Sequence, residues 1–154
     1  MFEKLGKTVI LSELKKDREV HSIIIHCSAS KVDLKTNAKT IHKWHLDRGF
    51  SGCGYHFVIT GDGTIQYGRD TKNIGSHAKG HNTGTIGVCY IGGVDSKGKV
   101  IVDSMNEAQS HSMKTIIRTL KKIYGSKTVI GHNELPYVNK ACPCLSMDLL
   151  REEL

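Results

Sequence analysis

The run Ser22-Ile23-Ile24-Ile25-His26-Cys27 constrains the fold of this chain more than any other segment. Three consecutive isoleucines leave no polar alternation, so a strand built from them can expose neither face to water. Their β-branched side chains are stiff and suit a pleated backbone. The run therefore predicts a central strand covered on both sides. His26 and Cys27 fall at its end, where a side chain can turn out of the sheet into a cleft.

The rest of the pattern supplies neighbours for such a strand. Tyr55 to Thr60 and Thr64 to Gly68 flank Gly61-Asp62-Gly63, a hairpin signal. Ile86 to Ile91, closed by Gly92-Gly93, is a second apolar strand, and Thr128 to Gly131 is a short one leading into His132. Thr36 or Asn37 can cap a helix that reaches about Arg48, with Ile41, Trp44 and His45 at helical spacing and Gly49 after its end. Ser104 followed by Glu107 reads as a capping box for the longest helix. Ala108, Ile116, Ile117, Leu120, Ile123 and Tyr124 form its apolar face, and Gly125 stops it. Ser146 can cap a terminal helix. Strands and helices intermix, which predicts the α/β class: a single domain with a mixed central β-sheet flanked by helices. Residues 1–21 carry mixed charges with scattered apolar positions. They read as a loosely attached N-terminal arm with a short strand at Thr8 to Leu11, leaving residues 22–154 as the domain proper.

Three places concentrate reactive side chains. One is His26 with Cys27 and Ser28. Another runs from Gly131-His132-Asn133-Glu134 to Lys140-Ala141-Cys142-Pro143-Cys144. The third joins Gly54-Tyr55-His56-Phe57 to Gly75-Ser76-His77-Ala78-Lys79-Gly80-His81-Asn82, whose small residues suggest a loop lining a groove. Each has an ordinary reading: a strand-end histidine bonded to backbone, a half-buried strand tyrosine, histidines on a surface loop. Two strand-end histidines and a loop cysteine also offer the imidazole and thiolate donors that zinc prefers, three of them leaving a fourth position open for catalysis. Spacing alone does not bring them together.

Other chemistries find no footing. There is no G-x-S-x-G elbow, no Walker loop and no H-E-x-x-H helix. Cys142 and Cys144 are separated by a single residue and no second pair follows, which argues against a four-ligand zinc ribbon. Five cysteines, an odd number, argue against a disulfide framework. The formal charge of +7, from 22 Lys and Arg against 15 Asp and Glu, suits a polyanionic partner. No recognised nucleic-acid motif accompanies it, and direct nucleic-acid binding is not expected. No apolar run reaches the roughly 20 residues of a membrane helix. Charges interrupt residues 1–20 throughout, so no secretory signal is expected and the chain reads as folded in a cytoplasm.

In order along the chain, Ile25-His26-Cys27-Ser28-Ala29, Gly54-Tyr55-His56-Phe57-Val58-Ile59 with Asp62-Gly63-Thr64, Gly68-Arg69, Gly75 to Gly80, Ile86-Gly87-Val88-Cys89, and His132 through Lys140-Ala141-Cys142-Pro143 resemble the N-acetylmuramoyl-L-alanine amidases of the phage-lysozyme type, relatives of the peptidoglycan recognition proteins. The resemblance covers roughly residues 22 to 150. It implies an amidase/peptidoglycan-recognition-like fold with Zn2+ held by His26, His132 and Cys142, Tyr55 and Lys140 as catalytic helpers, and His77 as a substrate contact. It further implies a monomeric endolysin that cuts bacterial peptidoglycan between N-acetylmuramic acid and L-alanine, held in the host cytoplasm before lysis. Two alternatives accompany it: a non-catalytic peptidoglycan-binding module, and a second role in regulating a phage RNA polymerase. Three departures stand out. Asn133 replaces a second histidine of some relatives, Glu134 to Asn139 is longer than usual, and Cys144 offers an alternative thiolate.

Overall fold

The computed structural model describes residues 2–125 and 128–154. Its centre is a five-stranded sheet. Ser22–Cys27 (β1) lies between Thr85–Tyr90 (β5) on one side and Thr128–Gly131 (β7) on the other, all parallel. Phe57–Ile59 (β3) runs parallel to β5, and the edge strand Ile65–Tyr67 (β4) pairs antiparallel with β3 across the Asp62-Gly63 turn. Ser30–Lys31 (β2) and Gly93–Val94 (β6) form a separate small parallel pair. The sheet is mixed, as expected, and every residue of β1 is buried.

Because side chains alternate across a strand, β1 splits into two sets. Ile23, Ile25 and Cys27 join Val88, Tyr90, Phe57 and Ile59 in the main core. That core is closed by the helix Glu107–Tyr124 (α2) through Met113, Ile116, Ile117 and Leu120. Ile24 and His26 take the opposite face. There the helix Ala38–Asp47 (α1) brings Ala38 and Ile41 onto Val58, Cys89 and Ile91, while Ala78 and Leu135 cover Ile24. The chemistry-bearing end of β1 therefore belongs to the α1 face, away from the main core.

Helix starts follow capping chemistry. Asn37 caps α1, accepting from the Thr40 N–H while Thr40 reaches back to the Asn37 N–H. The capping box of α2 is Asn106 with Gln109, two residues beyond the expected Ser104–Glu107 pair. Asparagine is as good an N-cap as serine, and the Ser104 hydroxyl is instead engaged with the Tyr90 hydroxyl at 2.9 Å. Ala108 is exposed and Gln109 takes the buried position, its amide donating to the Ile91 and Thr60 carbonyls at 2.8 and 3.3 Å. The short helix Met147–Glu152 (α3) is capped by Ser146, as the sequence predicts.

Residues 2–20 are held more firmly than a loose arm. Leu5, Val9 and Val20 are buried, Thr8 bridges to Gln66, and the Val9 N–H bonds the Ile65 carbonyl at 2.8 Å. Arg18 donates to the carbonyls of Thr71 and Thr85 at 2.6 and 2.8 Å, and Asp17 accepts from the Tyr124 hydroxyl at 2.8 Å. A single turn, Leu11–Glu13, follows the bridge where the sequence suggested continued strand. Among the described residues no helix is long and apolar enough to cross a membrane.

Candidate metal centre

Register brings the two histidines together. β1 and β7 pair in parallel up to Ile25 opposite Gly131, so the next rung sets His26 beside His132. Their ring centroids stand 4.7 Å apart, close to the spacing of neighbouring strands. His132 opens a 3-10 turn, His132–Glu134, and its position rests on what holds that turn. Glu134 accepts from the Gly131 N–H at 2.8 Å and forms a two-pronged pair with Arg151 of α3 at 2.7 and 2.9 Å. Arg151, followed by the Gly131 N–H, holds the Glu134 carboxyl below its ordinary range. Glu134→Gln is expected to lower stability by about 1 kcal/mol in urea titrations at pH 7, since the pair is partly solvated. Because the folded carboxyl is the stronger acid, that difference is present at neutral pH. It should disappear as pH falls through the folded value below about 4.3, leaving wild type and variant alike.

Cys142 arrives on a loop tied at several points. Its carbonyl accepts from the Asn133 N–H at 2.9 Å, and the Pro143 carbonyl accepts from the buried Tyr90 hydroxyl at 2.6 Å. Cys142 Sγ then lies 3.2 Å from the Cys27 N–H and 3.8 Å from His26 Nδ1. The donor atoms of His26, His132 and Cys142 all fall within 4.8 Å of one another. Among the described residues no other group of three His, Cys, Asp or Glu side chains is gathered in this way. Two ligands on one tetrahedral zinc stand roughly 3.3–3.8 Å apart, given bonds of about 2.0–2.3 Å, so the trio fits such an ion after a small contraction. The donor types fit as well: two imidazoles and one sulfur with a fourth direction free.

Cys144 is placed elsewhere. It is buried with the main core, its Sγ 3.6 Å from that of Cys27, on the opposite side of β1 from His26. Burial, followed by Cys27, pushes its thiol up to about 12. The Cys27 thiol is raised too, first by its hydrogen bond with Cys142 and then by burial. The group gathered with the two imidazoles includes neither of these sulfurs.

The surrounding charges favour neutral rings. Burial holds His26 well below the ordinary imidazole range, with His77, His132 and Lys140 pushing the same way. His132 is lowered by burial and then by Lys140. Lys140 itself is exposed, and its charge is felt at both histidines. The Tyr55 ring packs 5.0 Å from His26 and 5.4 Å from His45. Burial, followed by the thiols of Cys89 and Cys142, keeps its hydroxyl protonated well above its usual range.

The loop of Gly75 to Asn82 faces the sheet as well as the outside. His77 is only 8% exposed, and its Nδ1 lies 2.8 Å from His26 Nε2. The ring lies over Gly87 of β5, where an added Cβ would come within 2.6 Å of it, so that position requires glycine. Asn82 accepts the N–H groups of His77 and Ala78 at 2.9 and 2.8 Å and fixes the loop. Sequence reasoning missed the supports of this region. His45 and His56 accept the backbone N–H groups of Gly54 and Gly87 on Nδ1 at 2.8 and 3.1 Å, and Thr85 sits behind His77. No local pattern marks them, because each acts on a residue distant in sequence.

Residues 16–144 match the family described as N-acetylmuramoyl-L-alanine amidase. The endolysin of Escherichia phage T7 is 40% identical over 139 residues, covering 90% of this chain and 89% of the relative. The endolysin of Klebsiella phage KP32 is 37% identical over the same length and shares. Among solved structures, the endolysin N-acetylmuramoyl-L-alanine amidase LysCS from Clostridium intestinale superposes with a TM-score of 0.75 at 26% identity, covering 90% of this chain and 86% of that one. Drosophila PGRP-LB, a peptidoglycan recognition protein by fold and name, gives 0.67 at 27%, over 85% and 78%. Sequence match, fold and the gathered imidazole and thiol donors converge, and the chain belongs to the N-acetylmuramoyl-L-alanine amidase family.

Proposed function

We propose that this protein is a peptidoglycan-cleaving endolysin whose amidase centre is a zinc ion held by His26, His132 and Cys142. The observation that carries this reading is the gathering of two neutral imidazoles and one thiol within 4.8 Å on an amidase fold. The bond cut is the amide between the lactyl group of N-acetylmuramic acid and L-alanine. The chemistry supplied at that place by bound zinc is Lewis acidity, which polarises a carbonyl and lowers the pKa of water from ~15.7 to about 7.

The remaining tasks fall to side chains. Tyr55, kept protonated by burial, can donate a hydrogen bond beside His26 and orient the attacking oxygen. Lys140 brings a positive charge next to both histidines and can stabilise the oxyanion that forms as the carbonyl is attacked, a contribution worth roughly 3–4 kcal/mol per preorganised donor. His77 serves the site through His26 more than through a solvent-facing contact, given its burial.

Two measurements test the reading. Mass spectrometry of digested peptidoglycan should reveal free lactyl ends and new L-alanine amino termini, whereas new reducing sugar ends would identify a glycosidase and overturn it. In the same assay Lys140→Ala should lose about 100-fold or more in turnover with zinc retained. Unchanged turnover removes Lys140 from the mechanism.

A further inference from the structure

We infer that Thr85, acting through His77, determines which ring nitrogen of His26 is free to bind metal. The inference rests on the reading of His26 as a ligand and adds to it a positioning residue on β5. It follows from counting hydrogens along one chain of contacts.

The Thr85 hydroxyl lies 2.8 Å from the His81 carbonyl and 3.0 Å from the Asn82 carbonyl. Carbonyl oxygens only accept, so the single hydroxyl hydrogen is directed to them. Toward His77 Nε2, at 3.3 Å, Thr85 Oγ1 can then offer only lone pairs. His77 must carry its proton on Nε2, and a neutral imidazole protonated there has a bare Nδ1. That bare nitrogen stands 2.8 Å from His26 Nε2, which must therefore be the donor. With its proton on Nε2, His26 keeps an unprotonated Nδ1, the atom facing Cys142 Sγ at 3.8 Å.

The geometry of the chain is held from both ends. The Thr85 carbonyl accepts from Arg18 at 2.8 Å, which ties β5 to the N-terminal segment. Asn82 fixes the backbone of His77, and Gly87 leaves room for its ring against the sheet. Were the direction reversed, His26 would carry a hydrogen on Nδ1 pointing at the thiol and could not bind through it. Hydrogen-bonding partners of ligating histidines fix tautomer and ring orientation in this manner, and their loss weakens metal affinity by about 10–100-fold.

The test begins with the unmodified protein freed of metal. Long-range 15N–1H NMR of the imidazoles should find both His77 and His26 protonated at Nε2; a His26 protonated at Nδ1 overturns the inference. The zinc dissociation constant, measured by chelator competition, should rise about 10-fold or more in Thr85→Val and return to within about threefold of wild type in Thr85→Ser. Thr85→Val that melts like wild type and binds zinc equally well also overturns it. His26→Ala separates the two layers of the argument. If that variant binds zinc as tightly as wild type, His26 is no ligand and the reading beneath fails. If His26→Ala loses zinc while Thr85→Val does not, only the relay fails.

Discussion

Cys142→Ala is expected to leave the protein folded but unable to retain zinc, with turnover on peptidoglycan reduced more than ~100-fold, beyond the ~10–100-fold typical of losing a partner of a ligand. Two imidazoles alone hold zinc weakly, and among the described residues Cys142, whose sulfur faces His26 Nδ1 at 3.8 Å, is the cysteine gathered with them. Cys144 is the informative control. Its sulfur sits with Cys27 in the main core, so Cys144→Ala should keep stoichiometric zinc and most of the activity. Elemental analysis of the purified variants, paired with the cleavage assay, reads both. Zinc retained and activity intact in Cys142→Ala would remove the cysteine from the centre, and loss of zinc in a folded Cys144→Ala would reassign the thiolate.

The second large effect expected is a loss of stability in mild acid. His45 and His56 each accept a backbone N–H on Nδ1, and His56 also engages the Asn73 carbonyl through Nε2 at 2.8 Å. A proton on Nδ1 would displace that backbone donor inside a buried site. Burial, aided by Arg48, brings His45 down to about 4. Burial likewise brings His56 to about 3, against the hydrogen bond to Asn73, which pulls it back. An unfolded histidine titrates near 6.5. Between that value and the folded ones, only the unfolded chain takes up the protons. Stability is therefore whole above about pH 6.5 and falls as pH drops toward 4 and then 3. Two such groups cost roughly 4 kcal/mol between pH 7 and pH 5, a large part of the ~5–15 kcal/mol available to a domain. Buried His26 and His77 push in the same direction. Urea unfolding of chelator-treated protein at pH 7, 6 and 5 should show the midpoint falling steadily. A flat profile would mean that these rings accept protons in the folded state.

Much of the framework could be read locally. Ile23-Ile24-Ile25 declared a doubly covered strand because unbroken β-branched residues have no other stable setting. Gly61-Asp62-Gly63 marked the hairpin between β3 and β4, Ser146 announced α3, and of the two candidate caps Thr36 and Asn37 the structure uses Asn37 for α1. The start of α2 is ambiguous in the sequence because Ser104–Glu107 and Asn106–Gln109 both satisfy the pattern. The choice fell to Tyr90, which engages the Ser104 hydroxyl from another element. The attachment of the N-terminal segment is hidden from local sequence for a related reason. Its few apolar residues look insufficient alone, yet Leu5, Val9 and Val20 enter cores built by others.

The sequence by itself determined the strands of the central sheet, most helix caps, and the ordered motifs that name His26, Tyr55, His77, His132, Lys140 and Cys142. The strands and caps follow from propensity and periodicity, which act over a few residues, whereas the site residues are named by the resemblance of the motifs to a known family. Only the tertiary structure decided that His26 and His132 become neighbours, because this depends on β1 and β7 pairing in parallel register. It also separated the roles of Cys142 and Cys144, which are nearly adjacent in the chain, by gathering only the Cys142 sulfur with His26 and His132, and it turned His77 inward onto His26. His26 and Cys142 lie 116 residues apart, and no local preference reports contact over that distance. It arises when burial of two faces of one strand fixes which elements lie beside it, and the donors meet where those elements end.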